Sequence, residues 1–276
     1  MNVTFSEMST RGLSPKLWGK FAPPIGNSFQ STASGNPAFG FFDDFLWKAA
    51  TTLYDGYFAL LTGTGTYLRI ATDWNPAAPT TTGIGLWQML NTADNDEAIL
   101  AYGNALDAPF KLNNSDLVFE CRLKCATVAV SQYGLFVGLA ELGSQATTKV
   151  INTSNAIDNT YDLCGFQKLY GETTAVDAMY QVGGVTKVDG AVTTKLDSIA
   201  TLVASTYIKL GFRYLHNAHT LEWFVDGEKK AALTPTEIEA ANFPEDNFLT
   251  PTIVLASGGS DDYTTVVDWW ACAQME

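Results

Sequence analysis

The stretch Leu117-Val-Phe-Glu-Cys-Arg-Leu-Lys-Cys125 decides the fold class, because its apolar and charged residues alternate along the whole of its length. The odd positions from Leu117 to Cys125 are apolar, whereas Glu120, Arg122 and Lys124 occupy even positions. Successive side chains of a β-strand point to opposite faces of the sheet. The pattern therefore predicts a strand with one face in the core and the other face, including Glu120, in water.

The same alternation recurs later in the chain and predicts a hairpin. Residues 207–214 lead through the loop 215–219 (Leu-His-Asn-Ala-His) into residues 221–225. Asp226-Gly227 predicts the next tight turn, because glycine readily adopts the positive φ that such turns require. Two further strands are expected at residues 136–141 and 266–271.

Helical pattern is confined to the stretch Thr234-Pro-Thr-Glu-Ile-Glu-Ala-Ala241. Thr234 is suited to the N-cap position, Pro235 to the first helical position, and Glu237 has the spacing of a capping box. We expect one or two helical turns between strands.

The composition fits one large soluble all-β domain. The 276 residues are 46% apolar and 16% charged, enough to fill a sizeable core. A net charge of -13 disfavours a nucleic-acid surface, because phosphates would be repelled. The sequence has no run of 18 apolar residues, so no membrane-spanning helix is expected.

The four cysteines, Cys121, Cys125, Cys164 and Cys272, have no metal-ligand spacing. Cys121 and Cys125 are four residues apart in one strand, so their Cα atoms should lie about 13 Å apart, too far for a disulfide. We expect buried reduced thiols and synthesis in a reducing cytoplasm.

Residues 1–40 differ from residues 41–276 and predict an extended arm before the domain. They are rich in proline and glycine, lack apolar periodicity, and carry +2, whereas the remaining 236 residues carry -15. An arm of opposite charge could dock on a neighbouring copy, and a solvated tail is the alternative. We favour docking, because such a segment becomes ordered only where a surface holds it. The predicted partner-binding residues are Arg11, Lys16, Trp18, Lys20 and Phe21 of the arm, with Trp270.

Three motifs in order resemble a known class of sandwich. They are Phe41-Phe-Asp-Asp-Phe45, then Lys209-Leu-Gly-Phe-Arg213 leading into Leu221-Glu-Trp-Phe-Val-Asp-Gly227, then Leu249-Thr-Pro-Thr-Ile-Val254 followed by Gly258-Gly-Ser-Asp-Asp262 and Val266-Val-Asp-Trp-Trp270. This order is similar to the concanavalin A-like, laminin G-like domains of tailed-phage virion proteins. The resemblance spans about residues 41–274 and implies an antiparallel jelly-roll β-sandwich of the concanavalin A-like kind.

Catalytic residues in sandwiches of this fold have a characteristic spacing. Glycoside hydrolases of the class carry Glu-x-Asp-x-x-Glu on one strand, a motif that is missing here. Asp226 and Asp268 fit turn and strand-end positions, and His216 and His219 fit an exposed hairpin tip better than a metal site. We therefore predict no catalytic, cofactor or metal residues, and no enzymatic activity.

Two sets of residues leave alternatives open. The acidic loops at Asp94, Asp96 and Glu97 and at Asp261 and Asp262 could hold calcium, although solvated loops are favoured. Five of the seven tryptophans could form a platform for sugar rings, although packing is favoured; they are Trp74, Trp87, Trp223, Trp269 and Trp270. The adjacent pair Trp269 and Trp270 must point to opposite sheet faces, so one is core and the other faces a partner, ligand or helix.

The resemblance and the arm together predict a phage virion structural protein. We expect a capsid decoration or cement protein that binds the major capsid protein and neighbouring copies of itself, as a dimer or trimer. The first alternative is a carbohydrate- or receptor-binding module of a tail fibre or spike, with a host surface glycan as partner. The second is a glycan-cleaving enzyme of the same fold. No nucleic acid, membrane or cofactor is expected.

Overall fold

The architecture is a two-sheet antiparallel β-sandwich, as predicted. The computed structural model describes residues 12–18, 30–31, 38–43, 87–91, 97–102, 109–113, 115–128, 133–141, 144, 150–152, 156–172, 174–238, 240–257 and 263–275. A four-residue helix, α1 (Pro15–Trp18), and a short 3₁₀ helix, Ala240–Asn242, lie within this part of the chain.

The strands are β1 (Gln30–Ser31), β2 (Ala38–Asp43), β3 (Trp87–Asn91), β4 (Glu97–Ala101), β5 (Leu117–Cys125), β6 (Tyr133–Glu141), β7 (Leu163–Lys168), β8 (Ala175–Gln181), β9 (Ala200–Thr201), β10 (Ile208–Leu215), β11 (Thr220–Val225), β12 (Glu228–Leu233), β13 (Leu249–Ser257) and β14 (Tyr263–Met275). The larger sheet has the order β1-β2-β14-β5-β10-β11-β12, with β3 also paired to β14. The smaller sheet has the order β4-β13-β6-β7-β8-β9.

The main core lies between the two sheets and follows from strand alternation. Leu117, Phe119, Cys121, Leu123 and Cys125 of β5 all point into it, as the sequence pattern predicts. The four cysteines are buried in this core as free thiols, which confirms the prediction of reduced cysteines. Burial of apolar side chains on this scale is the main stabilising contribution to a sandwich.

The predicted hairpin and its turns are confirmed. Strand β10 pairs with β11 from Leu210 opposite Val225 to Leu215 opposite Thr220. The Asp226-Gly227 turn that follows has positive φ at both residues, 50° and 80°. This is the geometry of the two-residue turn that best matches the twist of antiparallel strands.

The helix predicted at residues 234–241 is reduced to one hydrogen-bonded turn, in which the Ile238 backbone N–H donates to the Thr234 carbonyl oxygen at 3.0 Å. The capping interaction is present, since the Thr234 backbone N–H donates to Glu237 Oε2 at 3.0 Å. The chain nevertheless makes a turn at residues 235–237 and a short 3₁₀ helix, Ala240–Asn242. A capped start does not offset the cost of helix nucleation in so short a segment.

The predicted boundary between arm and domain, at residues 40 and 41, falls inside strand β2. Strand β2 pairs with β14 from Asp43 opposite Trp270 to Ala38 opposite Met275. Strands β1 and β2 thus place residues 30–31 and 38–40 of the predicted arm in the larger sheet. Among the described residues, no helix has the length and apolar character needed to cross a bilayer.

Candidate functional site

A short N-terminal segment lies across the outer face of the larger sheet. We call residues 12–18 the docked segment. Its Leu13, Leu17 and Trp18 are buried, and they pack with Phe224 and Trp269 in a second apolar cluster. Part of the outer face of the larger sheet is therefore covered by the chain's own N-terminal residues.

Glu120 lies at the centre of this contact, and its predicted exposure to water is wrong. The Glu120 side chain is buried, and its Oε2 accepts hydrogen bonds from the Ser14 backbone N–H at 3.0 Å and from the Trp18 indole N–H at 2.7 Å. Burial raises the pKa of the Glu120 carboxyl, while the hydrogen bonds from Ser14 and Trp18 and the charge of Lys209 act against that rise. A buried carboxylate is tolerated because donors satisfy it.

Small residues on both sides of Glu120 make room for the segment. Gly211 of β10 and Ala271 of β14 are the cross-strand neighbours of Glu120. A Cβ atom at Gly211 would lie 2.4 Å from Leu17 Cδ2, well inside contact distance. The sheet thus has a shallow groove here, into which Leu17 fits.

Charged residues at the rim hold the backbone of the segment. Arg213 Nη1 donates to the carbonyl oxygens of Lys16 and Leu17, at 3.2 and 3.1 Å, and Arg213 is itself held by Glu222. Lys16 Nζ pairs with Glu228 at 2.5 Å in an exposed ion pair. We define the docking groove as Glu120, Lys209, Gly211, Arg213 and Trp269.

The structure places three of the predicted partner-binding residues within the chain's own fold. Lys16 contacts Glu228, Trp18 contacts Glu120, and Trp270 lies in the core between the sheets with its ring near that of Tyr102. Contacts of residues 12–18 with their own subunit are enough to hold this segment in place, so no neighbouring copy is needed to explain its conformation. A second molecule could reach the rings of Trp18 and Trp270 only after local opening. Arg11, Lys20 and Phe21 lie outside the described residues.

The two adjacent tryptophans point to opposite faces, as expected. Trp270 enters the main core, and Trp269 packs in the outer apolar cluster beside Phe42 and Gly12, so Trp269 faces residues of its own chain. A bulge between Val267 and Trp269 determines which of the two rings enters the core, because it inserts Asp268 as an extra residue on the outer face. Trp223 is also buried in the core, and Trp74 lies outside the described residues.

A surface rich in cations lies beside the groove on the same sheet. We define the cationic surface as Arg122, Lys124 and Tyr207. The Arg122 guanidinium lies 4.0 Å from the centre of the Tyr207 ring, and Lys124 Nζ lies 4.8 Å from it. Arg122 also pairs with Asp268, yet 38% of the Arg122 side chain stays exposed. These groups offer hydrogen-bond donors and positive charge on a body of net negative charge.

Lys209 adds to the positive charge of this face. It lies directly opposite Arg122 across β10 and β5, although like charges in such pairs are destabilising. Lys209 Nζ donates to the Gly12 carbonyl oxygen at 3.3 Å. The docked segment therefore borders the cationic surface.

Most of the described carboxylates hold loops in place. In each case a carboxylate oxygen accepts a hydrogen bond from a backbone N–H, as at Glu97, which binds the N–H groups of Val150 and Ile151 at 3.1 and 2.6 Å. The others are Asp116, Glu120, Glu141, Asp158, Asp162, Glu172, Asp177, Asp189, Asp226 and Glu237. Much of the acidic composition therefore serves loop structure.

Glu97 is one of the residues for which a calcium loop was the alternative interpretation. Its contacts with Val150 and Ile151 show a role within the fold, while Asp94, Asp96, Asp261 and Asp262 lie outside the described residues. In the part of the chain that the structure describes, no group of three or more His, Cys, Asp or Glu side chains could hold a metal ion.

One acidic network crosses the outer face of the smaller sheet. Asp189 Oδ2 accepts from Gln167 Nε2 at 2.8 Å and pairs with Lys187 at 2.7 Å. Asp177 lies nearby, and burial raises the pKa of its carboxyl, with the charges of Asp197 and Asp189 adding to the rise. A carboxyl with a raised pKa next to a second carboxylate has the chemistry of an acid and base pair, but both carboxylates are buried and hydrogen-bonded.

The two histidines form part of the predicted hairpin tip. His219 Nδ1 bonds the Tyr214 hydroxyl at 2.8 Å, and the His216 backbone N–H donates to Asp116 at 2.7 Å. Phe243 packs against the rings of Tyr214 and His219. These contacts give the pair a local structural role at the end of the sandwich.

The docking groove and the cationic surface were both missed from the sequence. The alternation in β5 identified Glu120, Arg122 and Lys124 on one face, which was the available signal. The sequence around Glu120 does not indicate which segment covers it, since Trp18 and Glu120 are 102 positions apart.

No protein-family model matches the chain, and no curated protein matches its sequence at a significant level. Among solved structures, the chain is similar to an endo-acting O-glycanase of the human gut microbiota, with a TM-score of 0.54, 11% identity, and coverage of 86% of this chain and 99% of that one. It is similar to the endo-1,3-β-glucanase of Streptomyces sioyaensis (TM-score 0.52, 13% identity, 92% and 100% covered). It is also similar to the endo-β-1,4-glucuronan lyase of Trichoderma reesei (TM-score 0.51, 9% identity, 85% and 94% covered). At these identities the similarity shows the fold alone, and the chain has the concanavalin A-like jelly-roll sandwich fold.

Proposed function

We propose that the chain is a virion surface protein that binds carboxylated glycans through the larger sheet. The observation that carries this proposal is the cationic surface: Arg122 and Lys124 converge on the ring of Tyr207 and stay partly exposed. This corresponds to the binding-module alternative of the sequence analysis. The virion location rests on the sequence resemblance.

The chemistry of the cationic surface suits an acidic sugar. A guanidinium binds a carboxylate through two parallel hydrogen bonds, and Arg122 already binds the carboxylate of Asp268. An ammonium group at Lys124 adds a second positive charge, and an aromatic ring can contact the C–H face of a pyranose. A sugar carboxylate would replace or join Asp268 at Arg122.

The binding test uses the full-length chain and a panel of carboxylated and neutral glycans. We expect affinity for carboxylated members such as tetragalacturonate, none for neutral maltotetraose, and weaker binding as salt rises. Arg122→Ala and Tyr207→Ala should each weaken binding at least several-fold. The matched control is Lys230→Ala, an exposed cation on β12 of the same sheet, which should leave binding unchanged. Failure to bind any carboxylated glycan, or equal loss in the control, would overturn the proposal.

Glycan cleavage is a second candidate, which the Asp177 and Asp189 network supports. A raised pKa at one of two neighbouring carboxyls is the arrangement that glycoside hydrolysis uses. The test is release of reducing ends from a polysaccharide panel, with Asp177→Asn and Asp189→Asn as variants. Release that both variants abolish would establish cleavage at this network and replace the binding proposal. We expect no release.

Capsid decoration is the third candidate, and it keeps the major capsid protein and neighbouring copies as partners. The docked segment supports it, because a segment held by a small number of contacts can be exchanged between subunits. Binding of the purified protein to particles that lack it, measured by co-sedimentation, is the test. Binding by wild type and its loss in Trp18→Ala would support decoration through the segment, and no binding would contradict it.

A further inference from the structure

We infer that the docking groove can take the docked segment of a second copy, so that two chains exchange residues 12–18. This inference is independent of the glycan proposal. The groove selects the segment through two contacts that depend on its sequence, Trp18 on Glu120 and Leu17 on Gly211. Arg213 adds hydrogen bonds to the segment's backbone carbonyls. A second copy is the partner that fits, because it carries the same residues.

The connection to the sheet is long enough for exchange. Eleven residues, 19–29, separate the docked segment from strand β1, which begins at Gln30. An extended chain of that length spans up to ~40 Å. It can therefore reach the groove of a copy that lies alongside the same face.

Exchange also conserves the interactions within the groove. The hydrogen bonds, ion pair and apolar contacts of residues 12–18 are the same whether the groove belongs to its own chain or to another. The equilibrium between the unexchanged and the exchanged state then depends on effective concentration. This favours the chain's own groove in dilute solution and a neighbour's groove where copies are crowded. Segment exchange of this kind is a low-cost route to oligomers.

The test mixes two full-length variants, Lys16→Cys and Glu228→Cys, and treats them with a short bismaleimide reagent. Lys16 and Glu228 form an ion pair at 2.5 Å, and both side chains are more than half exposed, at 64% and 60%. The native cysteines are buried, so the reagent should leave them unmodified. Because each variant carries one new thiol, exchange brings thiols of two different chains together, and the covalent heterodimer is measured on a denaturing gel against a control for chance encounters.

The matched control mixes Lys195→Cys with Glu237→Cys, an exposed ion pair that lies within the body of the sandwich. We expect several-fold more heterodimer from the first mixture than from the control, rising with protein concentration and falling when Trp18→Ala is added to the Lys16→Cys chain. A double variant, Lys16→Cys with Glu228→Cys, reports cross-linking within one chain. The inference would be overturned if this variant cross-links only within the chain and the mixture of single variants gives no more heterodimer than the control.

Discussion

The Trp18 indole N–H donates to Glu120 Oε2 at 2.7 Å, joining the N-terminal segment to the middle of the larger sheet across 102 positions of sequence. Both side chains are buried, so the bond replaces water at a carboxylate that could not otherwise be hydrated. This contact makes the docked segment part of the sandwich.

Replacing Trp18 with Phe should destabilise the protein by about 1–3 kcal/mol, because the ring still packs but the buried carboxylate loses a donor. Urea denaturation followed by circular dichroism measures the change. Lys16→Ala, which removes an exposed ion pair of the same segment, should have little effect. Equal stability of Trp18→Phe and wild type would mean that the hydrogen bond contributes nothing.

The stability that Glu120 confers should depend on pH. Burial raises the pKa of the Glu120 carboxyl above its ordinary value of 4.5. As pH falls from neutral, the folded protein binds this proton before the unfolded chain does, so the contribution of Glu120 to the free energy of unfolding rises and levels off below pH 4.5. Wild type should gain stability relative to Glu120→Gln over this range in paired denaturation curves. A difference that is constant with pH would show that the folded pKa is not raised.

Local patterns predicted the strands and turns because local sequence determines them. The alternation in β5, the hairpin of β10 and β11, and the turn at Asp226-Gly227 depend on residues close together in the chain. The capping pattern at Thr234 and Glu237 also predicted a local feature, a single turn, but it did not determine how far the turn extends.

The burial of Glu120 could not be predicted, because charge alternation identifies the face opposite the core but does not show whether distant residues cover that face. Its cover comes from residues 12–18, whose composition suggests an arm. The sequence also could not show which of Trp269 and Trp270 enters the core, because one inserted residue, Asp268, reverses the faces to which they point.

Gly211 should be coupled to Leu17. A Cβ atom at Gly211 would lie 2.4 Å from Leu17 Cδ2 and 2.8 Å from the Phe119 carbonyl oxygen, so Gly211→Ala should both displace the segment and disturb the sheet. Leu17→Ala should itself destabilise the protein by about 2–5 kcal/mol, and it removes the Cδ2 atom that the new Cβ atom would contact. The penalty of Gly211→Ala should then be smaller, as a double-mutant cycle measures. Additive penalties would contradict the contact.

Lys168 should give the protein a stability that rises with pH under alkaline conditions. The side chain is buried, its Nζ donates to the Tyr133 carbonyl oxygen at 2.6 Å, and burial lowers its pKa from 10.5 to about 8, against the opposing charge of Glu172. The folded protein releases this proton near pH 8, whereas the unfolded chain keeps it until about pH 10.5. The contribution of Lys168 is therefore lowest below pH 8 and rises between these two values.

Lys168→Met keeps an unbranched side chain of similar length and removes the titrating group. The difference in unfolding free energy between wild type and this variant should increase in favour of wild type between pH 8 and pH 10, because ionisation of the other residues cancels in the comparison. Lys230→Met, at an exposed position on β12, is the control and should give a flat difference. If the two variants behave alike, the buried ammonium group at Lys168 is not the source of the pH dependence.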